Sequence, residues 1–382
     1  MGKRRGQQAK GSGTFFGFEV WSAVSADRPK NQPDPHPVNG YDRQPGGTLG
    51  ATCLAVRRRD PMHKDQRVAK TWVRRRTFLG GAVASIACST LGASIRIAAA
   101  KAAKTNKATE FQLACMTLPY AAFPLRRALR GIRSAGYRYV AWGTSHQETP
   151  GGARIPVMPV DAAPAKARAL GNQCRAMGLQ PLMMFSTVYP ESEHGLAILT
   201  SRIRQAAAAG IPQVLTFGHT QGGNRKLWTE RFKKLAPIAR DHGVMIVVKQ
   251  HGGSTGTGKA CADIIREVDD PAIRVNYDAG NVMDYLDVDP IPDIRASAPW
   301  VHSFCMKDHR NWPKDQDCAP GYGEIDHYRL LAPVAFLGRN MPLCCENIAA
   351  PVLPRPSQPE GIDRMARRVR EFLETVIAGL QA

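Results

Sequence analysis

From Phe111 onward the chain alternates short apolar runs with longer stretches in which apolar residues recur every three or four positions. The short runs, at 111–118, 137–142, 180–187, 213–217, 244–249, 273–278, 301–306 and 343–346, have the length and composition of buried parallel strands. The longer stretches, at 125–134, 164–177, 196–209, 226–241, 260–268, 326–337 and 362–380, have the period of amphipathic helices. Gly136, Gly178, Gly210 with Pro212, and Gly243 punctuate the passage from helix to strand. Between the sixth and seventh runs, Pro290, Pro292 and Pro299 leave room for only a short helix. Eight strand–helix units within roughly 265 residues match the size of a closed (β/α)₈ barrel. An open doubly wound sheet shares the alternation, but eight successive units without an early glycine-rich dinucleotide turn favour closure.

In such a barrel the chemistry gathers where strands end and loops begin, at the C-terminal rim. The polar residues at those ends are Trp142 and His146, Tyr189, His219, Lys249 and His251, Asp278 and Asn281, Cys305, Lys307 and Asp308, and Glu346 with Asn347. Most strands therefore close on an ionisable or imidazole side chain, which marks the rim as a candidate site for a small molecule.

The segment before the barrel reads differently. Residues 1–61 lack a hydrophobic period and are rich in Pro, Gly and charge, the composition of a disordered leader. Arg75-Arg76-Thr77-Phe78-Leu79 then opens a weakly apolar run to Ile95, followed by Ala98-Ala99-Ala100-Lys101-Ala102-Ala103. A basic region, a short Gly/Ala-rich apolar region and small residues for cleavage are the three parts of an export signal. The segment 62–107 resembles a twin-arginine signal peptide, which implies passage through the twin-arginine export machinery to a periplasmic or extracytoplasmic location. At about 17 residues the apolar run approaches the roughly 20 that span a bilayer, which leaves a tethered N-terminus as the alternative, but its glycines, alanines and serines make it too weakly apolar to favour staying. Met62 lies thirteen residues before Arg75, a usual distance, so translation is expected to begin there; a precursor retaining residues 1–61 would overturn that start. The barrel domain is then 108–382.

Charge adds little. The chain carries 52 Lys and Arg against 32 Asp and Glu, a formal +20, but residues 1–110 account for +13 of it. The remaining +7 comes without interleaved aromatic and basic residues, so nucleic acid is not an expected partner. Seven of nine cysteines lie in the body and none forms a Cys-x-x-Cys pair, which excludes a zinc ribbon or thioredoxin-type motif. Either one or more disulfides or a set of buried thiols fits an exported chain, and adjacent Cys344 and Cys345 on a strand point to opposite faces. Gly253-Ser254-Thr255-Gly256-Thr257-Gly258-Lys259 approaches a phosphate-binding loop, but Ala260 stands where that signature needs Ser or Thr for Mg²⁺. What remains of the motif is a helix N-terminus able to face an anionic group.

The segments Asn276-Tyr277-Asp278-Ala279-Gly280-Asn281, Cys305-Met306-Lys307-Asp308, Gly321-Tyr322-Gly323-Glu324-Ile325-Asp326 and Cys345-Glu346-Asn347, in this order and spacing, resemble the xylose isomerase-like TIM-barrel family of sugar phosphate isomerases and epimerases. The resemblance implies a divalent metal held by four strand-end ligands. Asp278 and Glu346 match the ligands of strands six and eight. Lys249 stands in place of the strand-five Glu and Cys305 in place of the strand-seven His, while His251, Lys307 and Asp308 fit neighbouring positions of the family motifs.

A protonated lysine cannot ligate a cation and repels it. A set of Asp278, Glu346, His251 and Cys305 would suit zinc better than Mg²⁺ or Mn²⁺. The substitutions therefore favour a weak or absent metal, with the Lys249 ammonium in the electrostatic role of the ion. The chemistry suited to the set is proton transfer next to a carbonyl of a carbohydrate, by isomerisation or epimerisation. Glu346 is the expected base and Asp278 its electrostatic partner. Lys249 and His251 stabilise the developing oxyanion, and Lys307 holds a substrate hydroxyl or carboxylate. Trp142, His146, Tyr189, His219 and Asn281 are the candidate substrate contacts. Three other readings stay open: an ion-pair network without catalysis, a silent sugar-binding barrel, and a lyase on a keto-sugar using Lys249 as Schiff base or acid. Cys305 also fits as a small buried hydrophobe, and His302 and His309 as solvent-facing or supporting groups.

Overall fold

The computed structural model describes residues 107–382. The leader 1–61, the twin-arginine segment and the start at Met62 lie outside the described residues. Eight parallel strands close into a barrel: β1 Glu110–Met116, β2 Tyr139–Trp142, β3 Gln180–Phe185, β4 Gln213–Phe217, β5 Met245–Lys249, β6 Ile273–Tyr277, β7 Val301–Met306 and β8 Asn340–Cys345. Each strand pairs with its neighbours in sequence, and β8 returns to β1 with Leu343 opposite Leu113. Helices α1 Leu125–Ser134, α2 Pro164–Ala176, α3 Gly195–Ala209, α4 Arg225–Asp241, α5 Gly258–Val268, α6 Ala279–Leu286, α7 Pro290–Ser297, α8 His327–Leu331 and α9 Pro359–Leu380 supply the crossovers. The architecture is the α/β TIM barrel that the hydrophobic pattern predicts.

Strand alternation sorts the apolar residues into two cores. Ala114, Met116, Ala141, Met183, Phe185, Leu215, Phe217, Val247, Cys305 and Cys344 fill the barrel interior. A larger cluster, including Val140, Trp142, Val214, Ile246, Val248, Phe304 and Cys345, packs between the strands and the helices. Cys344 and Cys345 fall on opposite faces, as their adjacency on a strand requires. All seven described cysteines are buried and unbridged.

Two local expectations need correction. The proline-rich connection after β6 forms two helices, not one short one, because Pro290 enters at the first turn of α7, where its missing N–H costs nothing, and Asp289 caps it through the Ile291 N–H at 2.9 Å. The helix expected at 326–337 ends at Leu331 and continues only as a 3₁₀ turn, Ala332–Val334, since Pro333 cannot continue the hydrogen-bond ladder. Two short antiparallel ribbons follow β2 and β7, Ser145–Gln147 with Arg154–Pro156 and Asp308–Arg310 with Gln316–Cys318. Runs of three residues are too brief for a periodicity to reveal. Among the described residues no helix is long and apolar enough to cross a membrane.

Candidate active site

The same alternation aims the rim residues. Val247, Cys305 and Cys344 point into the barrel, so Lys249, Lys307 and Glu346, each two residues further on, point the same way. Asn276 donates to Ser303 Oγ at 2.8 Å and shares the inward parity, which carries to Asp278. These four residues converge. Lys249 Nζ lies 2.6 Å from Glu346 Oε2 and 3.0 Å from Asp278 Oδ2, and Lys307 Nζ lies 4.0 Å from the same Asp278 oxygen. The first three groups come from the ends of β5, β6 and β8.

Asp278 is fixed by its surroundings. Its Oδ1 caps α6 by accepting the Asn281 N–H at 2.9 Å, and its own N–H donates to Gln250 Oε1 at 2.7 Å. Asn281 donates to the Gln250 carbonyl at 2.6 Å and accepts from Lys307 Nζ. Lys307 also donates to Asp317 Oδ2 at 2.6 Å. A side chain at Gly280 would run into the Lys307 stem, its Cβ 2.7 Å from Cγ, so the glycine lets that lysine pass over the start of α6. Asp317 and Gln250 carry no signal in the sequence beyond polarity near a strand end, and neither was among the expected site residues.

Asp308 has a different task. Its carboxylate accepts the N–H groups of Gly321 and Gly323 at 3.0 Å and of Ile325 at 3.1 Å. Any side chain at Gly323 would collide with this carboxylate. The Gly-Tyr-Gly-Glu-Ile-Asp segment is thus a loop wound around one buried acid.

Electrostatics separates the two central acids. Burial alone raises both. For Glu346 the ammonium groups of Lys249 and Lys307 overrule it and hold the carboxyl at about 2, ionised. For Asp278 burial, helped by the Glu346 charge, wins over the two lysines and pushes it up to about 6. Burial disfavours the charged forms of Lys249 and Lys307, but the acids around them prevail and hold both as ammonium. Glu346 retains 13% side-chain exposure against 3% for Lys249 and none for Asp278, which makes it the acid accessible from outside.

The alternative ligand set of Asp278, Glu346, His251 and Cys305 is assembled only in part. Asp278, Cys305 and Glu346 do present ligand atoms within 4.8 Å of one another, but the Lys249 ammonium lies against both carboxylates. Burial pushes the Cys305 thiol well up, so it stays protonated and a poor ligand. His251 is committed elsewhere, with Nδ1 3.2 Å from the Gly218 carbonyl and Nε2 3.3 Å from Tyr285 Oη. Burial and the nearby Lys249 and Lys307 charges lower His251 to about 3, so it is a neutral imidazole. This donor set does not fit a divalent ion between Asp278 and Glu346.

Of the expected substrate contacts, Tyr189 and His219 stand in an aromatic row beside the cluster. Lys249 Nζ lies 5.5 Å from the Phe185 ring centroid, Phe185 is 5.5 Å from Phe217, and Phe217 is 4.3 Å from His251 and 5.5 Å from Tyr189. Tyr189 stacks on His219 at 3.9 Å, and the His219 side chain is 46% exposed. Trp142 and His146 are corrections. Ala141 takes the inward position of β2, so Trp142 turns outward into the helix-facing core. His146 is buried, with Nδ1 2.8 Å from the Phe123 carbonyl, and holds the first excursion together. The anion site anticipated at the start of α5 is filled from within. Asp293 accepts the Gly258 N–H at 2.6 Å and the Lys259 N–H at 3.2 Å, supplying the negative charge that the helix end attracts. A surface cleft of about 620 Å³, lined by Arg126, Arg130 and Gln173, lies on the outer helix layer and shares no residue with the acid–amine cluster.

Comparison with known proteins agrees with the fold. The xylose isomerase-like TIM-barrel family model matches residues 129–372. No curated protein matches the chain. Among solved structures, a xylose isomerase-like TIM barrel protein from Mycobacterium smegmatis in complex with magnesium is 17% identical, with a TM-score of 0.56 over 71% of this chain and 98% of that one. An L-ribulose 3-epimerase is 16% identical, with a TM-score of 0.55 over 70% and 95% of the two chains. A xylose isomerase-like TIM barrel/4-hydroxyphenylpyruvate dioxygenase fusion protein is 18% identical, with a TM-score of 0.54, and this chain covers 71% of its own length and 43% of that protein. A closed eight-stranded barrel, acids ending β6 and β8, and a family match spanning most of the described residues lead to one statement: the chain belongs to the xylose isomerase-like TIM-barrel family.

Proposed function

We propose that this protein is a carbohydrate isomerase that moves a proton between carbons next to a carbonyl, with the Lys249 ammonium in place of a divalent cation. The observation that carries the reading is the contact of Lys249 Nζ with both Glu346 and Asp278 at the inner ends of three strands. An ammonium has three donors, and the two acids account for two. The third serves a substrate oxygen, polarising the carbonyl and then holding the enediolate that forms. Glu346, the reachable carboxylate, takes the C–H proton. As the Lys249 charge is shared with the substrate oxygen, its hold on Glu346 weakens and Glu346 becomes more basic. The protonated Glu346 returns the proton to the neighbouring carbon, while the hydroxyl on the carbon first deprotonated passes its proton to the oxyanion held by Lys249, so that the carbonyl forms one position along.

One accessible base suits transfer on a single face of the sugar, as in aldose–ketose exchange, better than epimerisation with two opposed bases. Tyr189 and His219, with ring centroids 3.9 Å apart, offer aromatic surface for the apolar side of a sugar ring, with Phe217 edge-on behind Tyr189. Lys307, held by Asn281 and Asp317, is the group for a substrate hydroxyl. Export through the twin-arginine route belongs to this reading and favours an unphosphorylated sugar. A Schiff base on Lys249 requires a neutral amine, which two adjacent carboxylates oppose, so the lyase reading on that residue loses its support.

A silent sugar-binding barrel is the second reading, favoured by the near neutrality of a cluster in which each lysine is matched by an acid. Deuterium exchange at carbon-bound positions of aldoses and ketoses, followed by NMR, separates the two. Catalysis predicts wild-type exchange that falls by about 10²–10⁴ in Glu346→Gln. Sugar binding without any exchange would establish the silent barrel, and unaltered exchange in Glu346→Gln would remove the assigned base.

A further inference from the structure

On the ribbon that follows β7, the His309 side chain is only 1% exposed, and its Nδ1 lies 3.1 Å from Asp317 Oδ1. That contact commits one ring nitrogen. The other, Nε2, is buried beside Asp315 of the same excursion, and one ligand atom each from Asp284 of α6, His309 and Asp315 lie within 4.8 Å of one another. Asp315 Oδ1 is 3.1 Å from Nε2, yet Nε2 makes no hydrogen bond, so the oxygen stands off the line such a bond requires. A buried imidazole nitrogen that makes no hydrogen bond, grouped with two carboxylates that can each offer an oxygen, has the geometry of donors arranged around a common point. Tetrahedral bonds of about 2.0–2.2 Å from such a point place adjacent donors roughly 3.4 Å apart, within the 4.8 Å span of this group.

We propose that Asp284, His309 and Asp315 hold a divalent first-row cation of the Zn²⁺ type, clamping α6 to the ribbon beside the barrel mouth. One imidazole and two carboxylates make a borderline set that prefers zinc to magnesium, and three protein ligands leave positions for water. Asp317 on Nδ1 is the supporting carboxylate that fixes the ring orientation and strengthens such a ligand. The same Asp317 accepts from Lys307 at 2.6 Å, so the site stands one side chain from the acid–amine cluster. Its donors are nevertheless separate from Asp278, Cys305 and Glu346, and the inference holds whether or not Glu346 is a base.

The test uses the untagged full chain, stripped with a chelator and titrated with Zn²⁺ and separately with Mg²⁺ by calorimetry, with thermal melting alongside. His309 is buried and its replacement risks the fold, so the variants are Asp284→Asn and Asp315→Asn at exposed positions, with Glu346→Gln as the control for the inner cluster. One Zn²⁺ per chain is expected in the wild type and in Glu346→Gln, with a raised melting temperature and weaker Mg²⁺ binding. In each Asp→Asn variant Zn²⁺ affinity should fall at least tenfold. Absence of wild-type Zn²⁺ binding, or binding lost in Glu346→Gln but unchanged in both Asp→Asn variants, would overturn the proposal.

Discussion

Lys249 and Glu346, 97 positions apart in sequence, meet at 2.6 Å inside the barrel mouth. The ammonium also neutralises Asp278, so its removal strands two acids in a region where water cannot compensate. Lys249→Met should lower unfolding stability at neutral pH by about 3–5 kcal/mol, the scale for breaking a buried ion pair. Adding Glu346→Gln to that variant should recover part of the loss, because one orphaned charge disappears. Urea denaturation of the single and double variants measures both, and a loss below about 1 kcal/mol in Lys249→Met would mean the acids are solvated after all.

The two acids should leave opposite marks on the pH dependence of stability. Glu346 is held below its unfolded value, at about 2 instead of 4.5, so its contribution is fully present above pH 4.5 and lost as pH falls toward 2. Asp278 is raised from 3.8 to about 6, so the fold gains stability from it as pH falls from 6 toward 3.8. In Asp278→Asn that second dependence vanishes. The stability of the wild type relative to this variant should therefore decline as pH rises from about 4 to 6 and then level off. A difference that is flat across this window in paired denaturation series would show that burial does not raise Asp278.

Asp293 gives a prediction far from the chemistry. It accepts two N–H groups at the start of α5 and the Tyr277 hydroxyl at 2.9 Å. Asp293→Ala removes a cap and leaves the buried Tyr277 hydroxyl with the Pro290 carbonyl alone. A cost of about 1–3 kcal/mol is expected from the lost cap and hydrogen bond. Inorganic phosphate should not raise the melting temperature of the wild type through this helix end, but should do so in the variant, where the N–H groups are released. Equal phosphate effects in both proteins would argue against Asp293 as the internal anion.

The outcome shows what periodicity encodes. The eight strands were legible because buried parallel strands are continuous apolar runs, and β4 and β7 match their expected limits. Lys249, Asp278 and Glu346 were legible because a barrel forces strand ends toward one opening. Trp142 was misjudged by one residue of parity: Tyr139 and Ala141 face the interior, so Val140 and Trp142 face the helices, and in a strand one step exchanges the inside for the outside. Asp293 escaped because it acts on a helix start 35 positions before it, and Asp317 because it reaches Lys307 and His309 across a ribbon too short for periodicity to reveal. No local pattern records such a partner.

The cysteines supply the last test. Cys115, Cys174, Cys261, Cys305, Cys318, Cys344 and Cys345 are all buried and unbridged, although export would permit disulfides. Burial also raises each thiol, Cys174 to about 11 and Cys345 to about 12, so the reactive thiolate is scarce near neutral pH. Cys115 and Cys345 are register partners on β1 and β8, yet the pairing surfaces are already filled by the helix-facing core. A chain beginning after residue 107 should therefore show almost no reaction with a thiol reagent while folded and seven equivalents once denatured. The same seven should appear without a reductant. Fewer than seven in denaturant, restored by reduction, would reveal a disulfide; rapid labelling of the folded protein would show that the layer between strands and helices opens far more readily than its packing implies.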